Sequence, residues 1–375
     1  MHAAPKTYLF GIDRENPVDC AARLAEAGIG AVVTGVRPDR DVLQAVRRQG
    51  LDLYTCFGAF ALGKDFPGEE HLARDTEQTP RLWFGSGCPN DPDLRQACLA
   101  QAVGAAADAE VQGLFVDGAR FASPASGETF DAFLTCFCPR CQHEAAQAGF
   151  DPDQMLRSVR SLAAFVTAGQ DADKSLPDIL AGLDSWLGFR SHNMRAYYRE
   201  LVRTIRRRLP DCPVGAFIFP ASLADWVGQG AETVAGLDWV APMLYRRYPG
   251  DNGPACLNHE WASLLQGLTA KSGVSFREAA AATGLPLAWL ETRADPDRLT
   301  AAQIRREGFL PDMLARETAA LVRALPAVSV APIIQLADEK LPDSVRAVRS
   351  AGAAGLGFFA YQADQIDPLR RTLRA

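Results

Sequence analysis

The chain has 375 residues, 48% of them hydrophobic and 22% charged, which excludes a disordered polymer and supplies material for a substantial core. Its formal net charge of −6 gives no general attraction for nucleic acid or an anionic membrane, and no run approaches the roughly 18 to 20 apolar residues that a bilayer span needs. That length suits two ordinary domains or one large α/β barrel.

Met1 to Lys6 lead almost directly into an apolar run with no signal-like segment before it, so the sequence reads as cytoplasmic unless an export signal has been removed. Eight short apolar runs follow: Tyr8 to Asp13, Ala31 to Val36, Leu53 to Phe60, Gly113 to Arg120, Val214 to Phe219, Asp238 to Tyr245, Val328 to Leu336 and Gly355 to Tyr361. Continuous apolar runs separated by amphipathic segments mark parallel strands covered by helical crossovers. Eight in succession predict a closed (β/α)8 TIM barrel, read as one domain over residues 1–375.

The intervening helices have legible ends. Pro17 to Ala27 stops at Gly28, Arg40 to Arg48 at Gly50, and His192 to Leu209 at Pro210, while Asp343 to Ser350 precedes the last run. The arginines at 206–208 read as the solvated end of the third of these helices. Three connections are longer than a barrel needs: 61–110, 121–211 and 246–327. All three leave the carboxyl ends of strands, the face on which barrel enzymes build active sites. No internal repeat or domain-scale linker interrupts the pattern.

Nine cysteines divide into two groups. Cys20, Cys56, Cys98, Cys212 and Cys256 are scattered through strand-like or helical stretches as small buried hydrophobes, which suits a reducing compartment. Cys136, Cys138 and Cys141 form the knot Cys136-Phe-Cys-Pro-Arg-Cys141, and Cys88 stands upstream in Gly87-Cys-Pro-Asn90. This spacing predicts a structural zinc ion held by four thiolates, closed to water and substrate. Because Cys88 falls in the first insertion and the knot in the second, the metal would staple two neighbouring loops. A labile disulfide and free thiols are the alternatives, and His143 is a substitute ligand.

The stretch from Cys88-Pro-Asn-Asp-Pro-Asp-Leu-Arg95 through Val116-Asp117 to the knot is similar to the corresponding part of glycoside hydrolase family 42 β-galactosidases. The resemblance covers about a sixth of the chain and implies a structural zinc on a barrel. Those enzymes place an Asn-Glu pair directly after the matching Val-Asp, with the glutamate as general acid and base. This chain reads Val116-Asp-Gly-Ala-Arg-Phe121 there and lacks the pair. The segment Gly113 to Phe121 instead resembles a looser set of glycosidase-like barrels, as do Trp186-Leu-Gly-Phe-Arg190 leading into the long helix, Asp238 to Tyr245, and Ala351 to Tyr361. That second resemblance implies a glycoside hydrolase-like fold acting on a carbohydrate or glycoconjugate.

Glycoside hydrolysis uses two carboxyl groups, an acid for the leaving oxygen and a nucleophile or base. Asp117, ending the fourth strand, is the leading catalytic candidate, with Arg120 close enough in sequence to hold it ionised. Glu291, in Trp289-Leu-Glu-Thr-Arg293, and Asp338, followed by Glu339 after the seventh strand, are the candidate partners; a carboxyl against an indole suits an acid. Asp13, Arg120, Tyr245, Gln335 and Tyr361 are candidate substrate contacts at strand ends, Asp13 having helix capping as its plainer role. Phe57, Phe60 and Phe219 read as packing. No phosphate loop or nucleophile elbow appears. The leading reading is hydrolysis by paired carboxylates. Its rivals are a barrel that binds sugar without cleaving it, and a barrel lyase or isomerase with Asp117 as base. No nucleic acid or membrane partner is expected, and a homo-oligomer is allowed.

Overall fold

A computed structural model describes residues 4–107, 111–168, 174–249, 255–291 and 298–374. In chain order its strands are β1 (Thr7–Phe10), β2 (Ala31–Gly35), β3 (Asp52–Gly58), β4 (Ala73–Arg74), β5 (Pro80–Arg81), β6 (Gly113–Asp117), β7 (Val214–Ile218), β8 (Trp239–Pro242), β9 (Ser329–Val330), β10 (Ile333–Gln335) and β11 (Leu356–Phe359). Strands β4 and β5 form a small antiparallel pair in the first insertion. The other nine make one curled parallel sheet in the order β10-β11-β1-β2-β3-β6-β7-β8-β9. Its mixed α/β architecture is TIM-barrel-like.

Each of the eight predicted runs contains a strand, and the seventh contains two. Pro332 separates β9 from β10 because proline has no N–H for the ladder. Alternation along the strands sorts side chains to two faces. Leu9, Val32, Leu53, Ile334 and Phe358 pack outward with the helices Pro17–Glu26, Arg40–Arg48, Leu341–Ser350 and Ile366–Arg374. Inward, the Phe115 and Phe217 rings stack at 4.7 Å, and Trp239 meets Tyr54 at 5.6 Å. The indole of Trp239 fits because position 215 is glycine: a Cβ there would lie 1.8 Å from its Nε1.

The long helix begins earlier than the sequence suggests, spanning Asp184–Arg208. Gly188 carries no break; a Cβ at that position would sit 3.3 Å from the Phe150 ring, so the glycine admits close packing and the segment Trp186 to Arg190 is helical. The arginines at 206–208 are exposed at its end, with Arg206 reaching Asp238 at 3.1 Å. Among the described residues, no helix is long and apolar enough to cross a membrane.

Candidate active site and metal centre

The first and second insertions meet at the cysteines. Cys88 precedes the helix Pro92–Ala106, and Cys138 caps the helix Pro139–Gln147 by accepting the Cys141 backbone N–H at 3.4 Å. Cys88, Cys136, Cys138 and Cys141 are all buried, and their sulfurs lie within 4.8 Å of one another. From the Cys88 Sγ, the Sγ atoms of Cys141, Cys136 and Cys138 are 3.4, 3.6 and 3.7 Å away. Zinc–sulfur bonds of about 2.3 Å in a tetrahedron require sulfur separations of about 3.8 Å, whereas a disulfide needs about 2.05 Å. The donor set therefore fits a metal ion, and all four cysteines are free.

Hydrogen bonds prepare the sulfurs for negative charge. The Arg74 N–H donates to Cys136, the Asn90 N–H to Cys88 and the Asn90 side-chain amide to Cys141, at 3.3 to 3.4 Å. Contact with Cys136 and the other thiols holds Cys138 well below its ordinary pKa, and the same contacts push Cys88 and Cys141 up. Four packed thiols cannot all ionise without a cation among them. Asp91 joins the insertions separately, accepting from His71 at 3.1 Å and from Arg140 of the knot. His143, the substitute ligand, is exposed and paired with Gln147 at 2.9 Å. It takes no part in the cluster.

The carboxyl ends of the strands surround a cavity of about 260 Å³. Asp117 and Arg120 enter it from the end of β6, Tyr245 from beyond β8, and Phe84 from the first insertion. Phe10, Phe217 and Phe359 form its apolar wall. A more polar cavity of about 370 Å³ lies between Ala125 and the helix Leu257–Thr269. The smaller one has the stronger claim because it sits over the strand ends, where a barrel aims its side chains.

Asp117 accepts the Gly118 N–H at 2.8 Å. Burial pushes its carboxyl up, while the Arg120 charge and this hydrogen bond oppose the rise without cancelling it. Such a carboxyl is better suited to donate a proton than the ionised group expected from an arginine neighbour. No direct ion pair joins Arg120 and Asp117 among the described residues. Instead the Arg120 guanidinium lies 4.7 Å from the Phe219 ring centre and 4.9 Å from that of Trp83, and it donates to the Phe121 carbonyl. Burial pulls the Arg120 guanidinium down, and the charge of Glu260 opposes this more than that of Asp117 does.

Glu260 has no sequence signal within the third insertion. It is buried, accepts from the Ser123 hydroxyl at 2.8 Å and the Ala125 N–H at 3.0 Å, and so fastens the third insertion to the second. Tyr245 is also buried. Its ring lies 5.2 Å from Phe359, and burial pushes its hydroxyl up, keeping it a donor. Gln335 is the register partner of Phe359, and no hydrogen-bond partner reaches its buried Oε1.

The remaining candidates are placed elsewhere. Glu291 and Asp338 converge on the buried Arg246: Asp338 accepts from its Nε at 2.8 Å and also from its Nη2, and Glu291 accepts from Nη1 at 2.5 Å. Lys340 closes on Glu291 from the other side. Neither carboxylate lines the cavity. Thr292 and Arg293 of the Glu291 motif fall outside the described residues. Asp13 lies beyond the end of β1, where it accepts the Glu15 and Asn16 N–H groups at 2.9 and 3.1 Å and orders the approach to the first helix. Tyr361 packs beside Gly11, away from the cavity lining. Phe57, Phe60 and Phe219 are buried packing residues.

Solved structures share this architecture. The glycoside hydrolase domain of PgaB (BpsB) from Bordetella bronchiseptica superposes with a TM-score of 0.58 at 14% identity, over 99% of this chain and 98% of that one. The fold is glycoside hydrolase-like. The catalytic domain of a Paenibacillus polymyxa β-amylase matches over 99% of both chains, with a TM-score of 0.50 and 11% identity. Gan42B, a GH42 β-galactosidase from G. stearothermophilus, matches with a TM-score of 0.51 and 11% identity; 99% of this chain covers 56% of that enzyme. This glycoside hydrolase-like chain thus spans little more than half the length of the β-galactosidase. No protein-family model and no curated protein sequence matches it.

Proposed function

We propose that the chain is a glycoside hydrolase-like enzyme that binds a carbohydrate or glycoconjugate in the Asp117 cavity, with a structural zinc ion pinning the loops around it. The observation that carries this reading is the composition of the cavity: a carboxyl raised by burial, facing an aromatic wall at the strand ends. Aromatic faces suit the apolar faces of sugar rings, and a protonated carboxyl suits a leaving glycosidic oxygen. Asp117 would give its proton to that oxygen. Arg120 and Tyr245 would hold hydroxyl groups, while Gln335 lies outside the cavity lining. In this reading the metal holds shape only, since four cysteine ligands leave no open position.

A single domain with a closed eight-stranded barrel belongs to the same proposal. Supporting it, the Leu244 N–H reaches the Ile333 carbonyl at 2.8 Å, and Ala331 donates to Val240 at 2.8 Å, which makes β9 and β10 one interrupted strand. The similarity of the cysteine segments to those of GH42 β-galactosidases supports the zinc, while the missing Asn-Glu pair sets the chemistry apart.

One observation favours the rival reading, sugar binding without cleavage, or Asp117 acting alone as a base. Among the described residues, Asp117 is the one carboxylate that lines the cavity, and Glu291 and Asp338 are held on Arg246. A panel of chromogenic glycosides, run on the wild-type chain and on Asp117→Asn, separates the readings. Turnover lost in the variant, with zinc content and fold kept, establishes hydrolysis at Asp117. Sugar binding without turnover in the wild type establishes a binding barrel.

A further inference from the structure

Arg190 is fully buried in the helix Asp184–Arg208, and among the described residues no carboxylate pairs with it. Its Nη1 donates to the carbonyls of Ala122 at 3.3 Å and Trp226 at 2.5 Å, and its Nη2 to those of Phe133 and Thr135. The guanidinium carbon lies 3.7 Å from the centre of the Trp186 ring. Carbonyl dipoles and an indole face solvate a cation but bring no net charge, and a buried charge without a counter-charge is strongly disfavoured.

The candidate negative charge begins at the residue next to one that Arg190 holds. Thr135, whose carbonyl Arg190 holds, directly precedes Cys136. Burial pushes the Arg190 guanidinium below its ordinary range; charge on Cys136 and Cys141 acts against that fall, and Arg120 adds to it. Four thiolates around a divalent ion carry a net charge of about −2, and that centre is as deeply buried as the arginine. The other nearby guanidiniums are engaged: Arg140 with Asp91, and the exposed side-chain end of Arg74 with the Gln78 carbonyl at 2.7 Å.

We infer that Arg190 is the built-in counter-charge of the four-cysteine metal centre and, through its carbonyl bonds, the positioning residue that ties this centre to the loop after Asp117. The second part follows from the bonding pattern. One guanidinium grips Phe133 and Thr135 beside the knot and also Ala122, two residues beyond Arg120. The inference rests on the reading of the cysteines as a metal centre and goes beyond it by assigning one buried residue to offset part of the centre's negative charge.

The test uses the full chain as wild type, Arg190→Met and Arg190→Lys. Zinc affinity is read by competition with a chromophoric chelator, and the centre by the thiolate-to-metal charge-transfer band of the cobalt-substituted protein. Arg190→Met should bind zinc about 10- to 100-fold more weakly, with Arg190→Lys recovering most of the loss. Folded Arg190→Met with wild-type affinity overturns the inference. If Arg190→Met does not fold, the lysine variant decides: folded protein with near wild-type zinc affinity supports the counter-charge, while unfolded protein, or folded protein with weakened zinc, overturns it. Wild-type protein without stoichiometric zinc sinks the metal centre itself, a failure distinct from the others.

Discussion

The sulfurs of Cys88 and Cys141 lie 3.4 Å apart across 53 residues of chain. The contact joins the first and second insertions, and what holds it bears on the order of both loops. Removal of metal by a strong chelator should therefore loosen both insertions while leaving the sheet folded. Hydrogen exchange checks this. Amides around 86–91 and 133–142 should lose protection, and those of β1, β2 and β11 should keep it. Equal loss throughout would mean that the centre supports the whole fold.

Asp117→Asn keeps the shape of the side chain and removes the transferable proton. If the carboxyl is the general acid, kcat on a responsive glycoside should fall about 100- to 10,000-fold. A leaving group that needs no protonation should restore much of the loss, and kcat measured on activated and unactivated glycosides checks this. A structural role for Asp117 would lower both rates together.

The sheet was legible because strands buried on both faces leave continuous apolar runs, and each of the eight runs contains a strand. The four-cysteine cluster was legible too, since the three cysteines of the knot are local and close spacing alone brings them together. Charge partnership was not. Glu260 meets the Ser123 hydroxyl across 137 positions of the chain, and Arg246 gathers Glu291 and Asp338 from two separate loops. Nothing in local spacing encodes either meeting. The direction of the Asp117 shift was also hidden, because burial, which outweighs the neighbouring arginine, is a property of the assembled mouth.

That shift predicts a pH dependence of stability. Burial raises the Asp117 carboxyl above its ordinary value of 3.8, so the folded chain holds this proton more tightly than the unfolded chain. The resulting stabilisation is complete below the unfolded value and is lost as pH rises through the folded one. At neutral pH the wild type must either bury a disfavoured carboxylate or take up a proton on folding, and Asp117→Asn bears neither cost. The variant should therefore melt at a higher temperature than the wild type near pH 7, and the gap should shrink below pH 3.8. Melting curves of both proteins from pH 3 to pH 8 check the sign, and a variant less stable at neutral pH would contradict it.

Arg246 offers the sharpest test of the two carboxylates outside the cavity. Its side chain is 1% exposed and that of Asp338 is 3% exposed, so the pair is shielded from solvent on both sides. Removing one member of a buried ion pair leaves the other charge without compensation, at a cost of about 3 to 5 kcal/mol. Arg246→Met should therefore lose stability on that scale in urea unfolding, whereas Glu291→Gln, which removes a more exposed partner, should lose less. The kinetic consequence separates structure from chemistry. If Asp338 and Glu291 serve only to fasten the loops after β8 and β10 to each other, then Asp338→Asn and Glu291→Gln will lower stability and leave kcat near the wild-type value at a temperature where both are folded. If one of them is the second carboxyl of a hydrolase, its substitution will abolish turnover while the Arg246 clamp, still carrying its other acid, keeps the protein folded.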